Sequence, residues 1–225
     1  MSKEILAERV AARVVSGQTI GLGTASTAEA ILNAIGKRIK EEGLIVSGVS
    51  TSLVTTRIAS RLGIVVHDIA SGVPLDWAFD GADEVDPYLR LIKGRGGALL
   101  KEKIVARRSP HLVIALTSEK KVSRLGEKYP VPVEVLPQSV SYVESELIKL
   151  GAEQVLPRTG SNFYGPLFTE SGNLLLDASF SEIKSNLGSQ IKSITGVVEH
   201  GIFENFSSLE VLCADSSGNV EVLKK

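Results

Sequence analysis

Thr19-Ile20-Gly21-Leu22-Gly23-Thr24-Ala25-Ser26-Thr27-Ala28 decides the fold. Thr19–Gly23 is a short apolar run of the kind that parallel sheets bury on both faces. Thr24–Thr27 is a polar turn, and a helical pattern runs from about Ala28 to Glu42. Strand, small-residue turn and helix together open an α/β sheet. The turn also suits an anion, because small residues let the backbone approach and a helix start aims N–H groups at it. Thr24, Ser26 and Thr27 add hydroxyls, and Ala25 contributes backbone. The loop lacks the lysine of a P-loop and the glycine spacing of a dinucleotide fold. Taken alone it equally fits a capped strand–helix turn, since Ser and Thr favour caps.

Working outward, Ile5, Leu6, Ala7, Val10, Ala11 and Val14 recur at helical spacing, so residues 3–16 read as an amphipathic helix ended by Gly17. Leu44–Val49, Ile64–Val66, Trp77–Phe79 and Leu112–Leu116 read as strands, and Thr51–Leu62 and Gly96–Arg107 as helices. This alternation implies a parallel sheet covered on both faces, with ligands bound beyond the strands' carboxyl ends. The pattern changes at Tyr129–Pro137. There follow a strand at Val133–Leu136, a helix at Ser139–Leu150 and a strand at Ala152–Leu156. A hairpin is expected over Phe168–Asp177 around Ser171-Gly172-Asn173, then a helix over 181–194. Gly201–Phe203, Leu209–Ala214 and Val220–Leu223 close the chain as strands. The expected domains are 1–129 with 205–225, an α/β parallel-sheet domain, and 130–204, a compact α+β domain.

Charge narrows the function. The 25 basic and 26 acidic side chains nearly cancel, which leaves no broad basic face for a nucleic-acid backbone. One cysteine, Cys213, excludes an intrachain disulfide and fits a cytoplasmic protein. His67, His111 and His200 are scattered without ligand spacing, so no metal site is expected. The N-terminal segment is broken by charges and does not read as a secretory signal, and no stretch has the length of a membrane span.

Two further motifs carry chemistry. Asp80-Gly81-Ala82-Asp83-Glu84-Val85-Asp86 sets four acids in seven residues after an apolar strand. The spacing does not fit a calcium loop. A solvated acidic turn is one reading. The other is that small Gly81 and Ala82 let Asp80 and Asp83 face one polar ligand at the strand's carboxyl end. Lys93-Gly94-Arg95-Gly96-Gly97 then packs three glycines into four residues, freeing the backbone for close approach to a ligand. Lys93 enters that turn and suits developing negative charge. Glu102, in the helix that follows, reads by itself as a surface partner of Lys101 or Lys103. Lys3 and Lys120 read alone as solvated lysines that are available to a phosphate.

Together, Gly-Leu-Gly-Thr-x-Ser-Thr-Ala, Asp-Gly-Ala-Asp-Glu and Lys-Gly-x-Gly-Gly-Ala-Leu-x-x-Glu-Lys, in this order and followed by Pro130-Val131-Pro132-Val133-Glu134-Val135, resemble the ribose-5-phosphate isomerases of the A type. The resemblance covers nearly the whole chain. It implies a Rossmann-like domain with a ferredoxin-like domain inserted near the C-terminus, a homodimer or homotetramer, and no cofactor. It makes Glu102 the proton-transferring base and Asp80, Asp83 and Lys93 the catalytic groups that contact the sugar. Thr24, Ala25, Ser26 and Thr27 become the binding loop, Gly81, Ala82, Gly94, Arg95 and Gly96 line the substrate, and Lys3 and Lys120 become phosphate partners. Ala25 departs from the pattern, which has glycine there.

The implied reaction moves a carbonyl between C1 and C2 of ribose 5-phosphate and ribulose 5-phosphate through an enediolate, in the non-oxidative pentose phosphate pathway. One carboxylate can take and return the proton along one face, while Lys93 and backbone N–H groups stabilise the oxygens. Two rivals are another sugar-phosphate enzyme on the same broad fold and a non-catalytic sugar-phosphate sensor. The ordered motifs fit the first poorly, and retention of Glu102 and Lys93 argues against the second.

Overall fold

The computed structural model describes residues 2–160 and 165–224. The first elements are α1 (Ser2–Ala11), β1 (Thr19–Leu22), α2 (Ser26–Glu42), β2 (Ser47–Ser50), α3 (Leu53–Arg61), β3 (Val65–His67) and β4 (Trp77–Asp80). The middle of the chain gives β5 (Glu84–Val85), β6 (Leu91–Ile92), α4 (Leu99–Arg108), β7 (Leu112–Thr117) and β8 (Val131–Val135). The remainder gives α5 (Val140–Lys149), β9 (Ala152–Pro157), β10 (Leu174–Phe180), α6 (Leu187–Ser193), β11 (Val197–His200), β12 (Ile202–Phe203), β13 (Leu209–Ala214) and β14 (Val220–Lys224).

Two compact units result: 1–82 with 101–121 and 205–225, and 83–100 with 122–204. The first is built on a seven-stranded sheet in the order β14-β13-β7-β4-β1-β2-β3. All its neighbours are parallel except β13 and β14. β7 and β13 are buried along their whole length, which explains their unbroken apolar sequences. Ile20, Leu22, Phe79, Val113 and Leu212 meet Leu6 and Val10 of α1 and Ile31, Leu32 and Ile35 of α2 in one core. The register sets Leu22 beside Phe79 and Asp80 beside Ile114. The segments that follow β1, β4 and β7 therefore leave the sheet at the same, carboxyl end.

The second unit runs β8-α5-β9-β10-α6-β11, with an antiparallel sheet in the order β11-β8-β10-β9. This is the ferredoxin-like arrangement. Val131, Val133 and Val135 alternate into a core with Val143, Leu147, Leu187 and Ile191. A smaller sheet, β12-β6-β5, belongs to the same unit.

Several elements differ from the sequence reading. Residues 83–100 and 122–129 group with the second unit, because β5 and β6 join β12 and because Val122 and Leu125 enter its core. α4 starts at Leu99 instead of Gly96, since Gly97 takes a φ of +81° that no helix accommodates. α6 covers only Leu187–Ser193 of the expected 181–194. Ile183 instead buries its side chain in the small core, and its carbonyl accepts from Arg90 Nη1 at 2.9 Å.

Candidate active site

In the first unit the Thr24–Thr27 loop opens α2. Ala25 is the N-cap residue, with φ 85° and ψ 176° and no side-chain cap bond. The first N–H groups of this 17-residue helix thus lack a capping side chain from Ala25, as an anion site requires. Lys3 Nζ donates to Ser26 Oγ at 3.0 Å, so one expected phosphate partner stands at the loop. Lys120 Nζ donates to the Ala82 carbonyl at 2.6 Å. The Thr117 hydroxyl, with help from Lys120 and Lys3, holds the Glu119 carboxyl below its usual range against an opposing burial effect. Both lysines therefore act on one locality. Thr27 is buried, close to Gly81.

Thr24 behaves differently from the other loop hydroxyls. Its Oγ1 lies 2.6 Å from Thr51 Oγ1, 3.0 Å from Ser52 Oγ and 3.1 Å from Thr55 Oγ1. Ser52 in turn caps α3 by accepting from the Thr55 N–H. The Thr24 hydroxyl is thus engaged in bracing the loop against β2 and α3. Its backbone N–H donates to Asp80 Oδ1 at 3.1 Å, and Gly81 N–H donates to the same oxygen at 2.7 Å. Gly23 makes that approach possible, because a Cβ there would lie 2.3 Å from Asp80 Oδ1. Asp80 is 4% exposed. Glu102, in the first turn of α4, is 6% exposed, so it is a buried carboxylate and not the surface side chain that its local sequence suggests.

The second unit carries Asp83 and the glycine turn. Asp83 Oδ2 accepts from the Arg95 N–H at 3.1 Å. Lys93 is 3% exposed. Its backbone N–H donates to Gly201 O at 2.9 Å, and its ammonium lies 5.6 Å from the Phe203 ring centre, a cation–π placement. Gly94 and Gly97 have φ of +99° and +81°, and a Cβ on Gly94 would sit 2.7 Å from that of Leu99. Gly96 and Arg95 are exposed at the tip, where the Arg95 guanidinium stacks 4.2 Å from the Tyr129 ring centre.

The acidic run divides into two kinds of carboxylate. Glu84 accepts the N–H groups of Gly126, Lys128 and Tyr129 at 2.6 to 2.8 Å. Asp86 accepts from the Tyr88 and Arg90 N–H groups and from Arg90 Nε. These two acids hold loops together, while Asp80 and Asp83 stand at the motif's small residues. Sequence reasoning also passed over Thr51, Ser52, Thr55 and Arg158, because no local pattern distinguishes them. Among the described residues, no group of three or more His, Cys, Asp or Glu side chains is arranged to hold a metal ion.

Comparison with known proteins identifies the family. The family described as ribose 5-phosphate isomerase A (phosphoriboisomerase A) matches residues 47–218. The ribose-5-phosphate isomerase A of Roseiflexus sp. (strain RS-1) is 44% identical over 96% of this chain and 93% of its own length. The solved ribose 5-phosphate isomerase A of Methanocaldococcus jannaschii is 38% identical with a TM-score of 0.92, covering 99% of this chain and 98% of that one. A D-ribose-5-phosphate isomerase solved in complex with phospho-erythronic acid is 34% identical with a TM-score of 0.94, covering 100% and 98%. The chain belongs to the ribose-5-phosphate isomerase A family.

Proposed function

We propose that the chain interconverts ribose 5-phosphate and ribulose 5-phosphate through an enediolate, with Glu102 as the single base. The observation that carries the assignment is that Asp80, Lys93 and Glu102 stand in the ordered motifs of the family and are buried. Asp80, Lys93 and Glu102 are each less than a tenth exposed, a degree of burial unusual for Asp, Lys and Glu. Glu102 takes the proton from C2 of the aldose and delivers it to C1. Lys93 and amides of the glycine turn stabilise the two oxygens that share the developing charge. Asp80 and Asp83 move hydroxyl protons and help open the furanose ring.

The phosphate binds through the start of α2, Ser26, Thr27, Lys3 and Lys120. It lies at the end of the sugar that does not react, so its binding energy orients the carbons that do. Phospho-erythronic acid, bound by a relative, likewise joins a phosphate to a short hydroxy-acid chain. The electrophile is lysine and amide, so no metal or organic cofactor enters the proposal. The test is a coupled assay for ribulose 5-phosphate. We expect conversion of ribose 5-phosphate and very little of unphosphorylated ribose; equal rates on both sugars would refute the phosphate assignment.

A homodimer or homotetramer belongs to the same proposal. Edge strand β9 exposes Leu156, and Phe168 is exposed beside β10, a surface suited to burial against a second copy. Light scattering on the purified chain tests it, and a monomer would refute it. A cytoplasmic location is also proposed, on the single buried Cys213. No described helix is long and apolar enough to cross a membrane.

A further inference from the structure

Arg158 lies on the loop after β9, far along the chain from every residue assigned to catalysis. It is nevertheless the anchor of the glycine turn. Its Nη1 donates to the Gly94 carbonyl and to the Arg95 carbonyl, each at 2.9 Å. Its Nε donates to Asp177 Oδ2 at 2.8 Å, and its Nη2 donates to Asp177 Oδ1. The guanidinium side chain is only 13% exposed and that of Asp177 24%, so this fork is largely withdrawn from water. Asp177 sits on β10, in the middle of the antiparallel sheet between β8 and β9.

Peptide planarity turns this anchor into a device for aiming N–H groups. No described peptide bond is cis. In a trans peptide the C=O of one residue and the N–H of the next point in opposite directions. The carbonyls of Gly94 and Arg95 converge on one nitrogen of Arg158. The N–H groups of Arg95 and Gly96 must therefore leave on the opposite side of the turn. The first does so visibly, since Arg95 N–H donates to Asp83 Oδ2. The second belongs to the adjacent peptide and is carried to the side where Asp83 stands. The Arg95 side chain is held away on Tyr129, whose own N–H donates to Glu84.

We infer that Arg158, oriented by Asp177, is a positioning residue for the isomerisation: it sets the two peptide planes that fix the Asp83 carboxylate and aim the Gly96 N–H. This rests on the reading of Asp83 and the glycine turn as catalytic. Lysine cannot replace arginine here, because one ammonium cannot meet two carboxylate oxygens and two carbonyls in the same planar fork. Phosphate binding is assigned to Lys3, Ser26 and Lys120 and not to the glycine turn, so substrate affinity is expected to survive the loss of Arg158.

The experiment compares Arg158→Lys, Arg158→Ala and Asp177→Asn with Asp83→Asn and Lys93→Ala, measuring kcat, KM for ribose 5-phosphate and melting temperature. Misplacement of a catalytic group by about 1 Å costs on the order of 100-fold, so Arg158→Lys is expected to lose about 10- to 100-fold in kcat. Its KM is expected to stay within about threefold, the pattern of a lost transition-state interaction. Ethylguanidinium should restore part of the turnover of Arg158→Ala, and ethylammonium should not. Asp177→Asn, which keeps a hydrogen-bond acceptor of the same size, should show a smaller kcat loss and decides the matter if the Arg158 variants do not fold. Folded Arg158→Lys or Asp177→Asn with wild-type kcat, beside an inactive Asp83→Asn, overturns the positioning role alone. Full turnover in Asp83→Asn and Lys93→Ala overturns the catalytic reading together with it.

Discussion

Ala25→Gly is the substitution whose outcome the structure fixes most sharply. From the sequence, alanine in place of the family's glycine is tolerated without strain at a negative φ and costs about 1 kcal/mol or more at a positive one. The observed φ is 85° with ψ 176°, a combination reserved almost wholly for glycine. A side chain held there costs on the order of 1–3 kcal/mol. Ala25 is exposed, so no packing of its methyl offsets that cost. Against the relief stands the greater freedom that glycine gives the unfolded chain, about 0.4–1 kcal/mol. The net expectation is a stabilisation of about 1 kcal/mol, within a range of roughly 0–2.6. For a chain of this length that raises Tm by roughly 2–4 °C per kcal/mol. Thermal unfolding followed by circular dichroism, with steady-state kinetics on the same samples, provides the assay. KM for ribose 5-phosphate is expected to fall or stay level and kcat to stay within about twofold, because the loop holds atoms that do not react. A lower Tm would refute the strain argument. A large rise in kcat at constant KM would place the loop at the reacting carbons and refute the phosphate assignment.

Three further outcomes follow from the same structure. Gly23→Ala brings a Cβ to within 2.3 Å of Asp80 Oδ1, so it should displace that carboxylate and cut kcat/KM by at least about tenfold, measured in the coupled assay. Exhaustive dialysis against EDTA should leave turnover unchanged, since lysine and amides serve as the electrophile; loss restored by a divalent ion would require a different mechanism. The Arg13 hydrogen bond holds the buried Glu210 carboxyl below its usual range, with Lys224 and His111 adding to it. Its stabilisation is present above the unfolded carboxyl value of about 4.3 and is lost as pH falls through the lower folded value. Glu210→Gln should therefore lower Tm at neutral pH by a few degrees, about 1 kcal/mol given the partly exposed Arg13, and the difference should vanish in acid.

The larger sheet was legible because its central strands are buried on both faces and so write themselves as apolar runs, as Leu112–Thr117 and Leu209–Ala214 do. β5 and β6 were not, since two residues each carry no periodicity. β11 follows Gly196, whose φ is +93°, and pairs through a bulge that disturbs alternation. The helical pattern over 181–194 was real only from Leu187, because tertiary contacts claimed Ile183. At the site, the residue types and their order were readable, but their division of labour was not. No residue type in the run separates Asp80 and Asp83 from Glu84 and Asp86; Glu84 is claimed by N–H groups of residues 126–129, and Asp86 by Tyr88 and Arg90. Likewise the Thr24 hydroxyl is engaged by three hydroxyls more than 25 positions away. Arg158 has no motif at all, and its place at the glycine turn is a product of the antiparallel sheet alone.

The central claim is that Glu102 moves the proton, and Glu102→Gln tests it most directly. Glutamine keeps the size and hydrogen-bonding capacity of the buried side chain but cannot accept a proton at the reaction's pH. Ribose 5-phosphate binding, followed by calorimetry, should stay within about threefold of the unsubstituted chain, while ribulose 5-phosphate formation falls by about 100-fold or more. A Glu102→Gln variant that binds its substrate and turns it over at near the original rate would contradict the account.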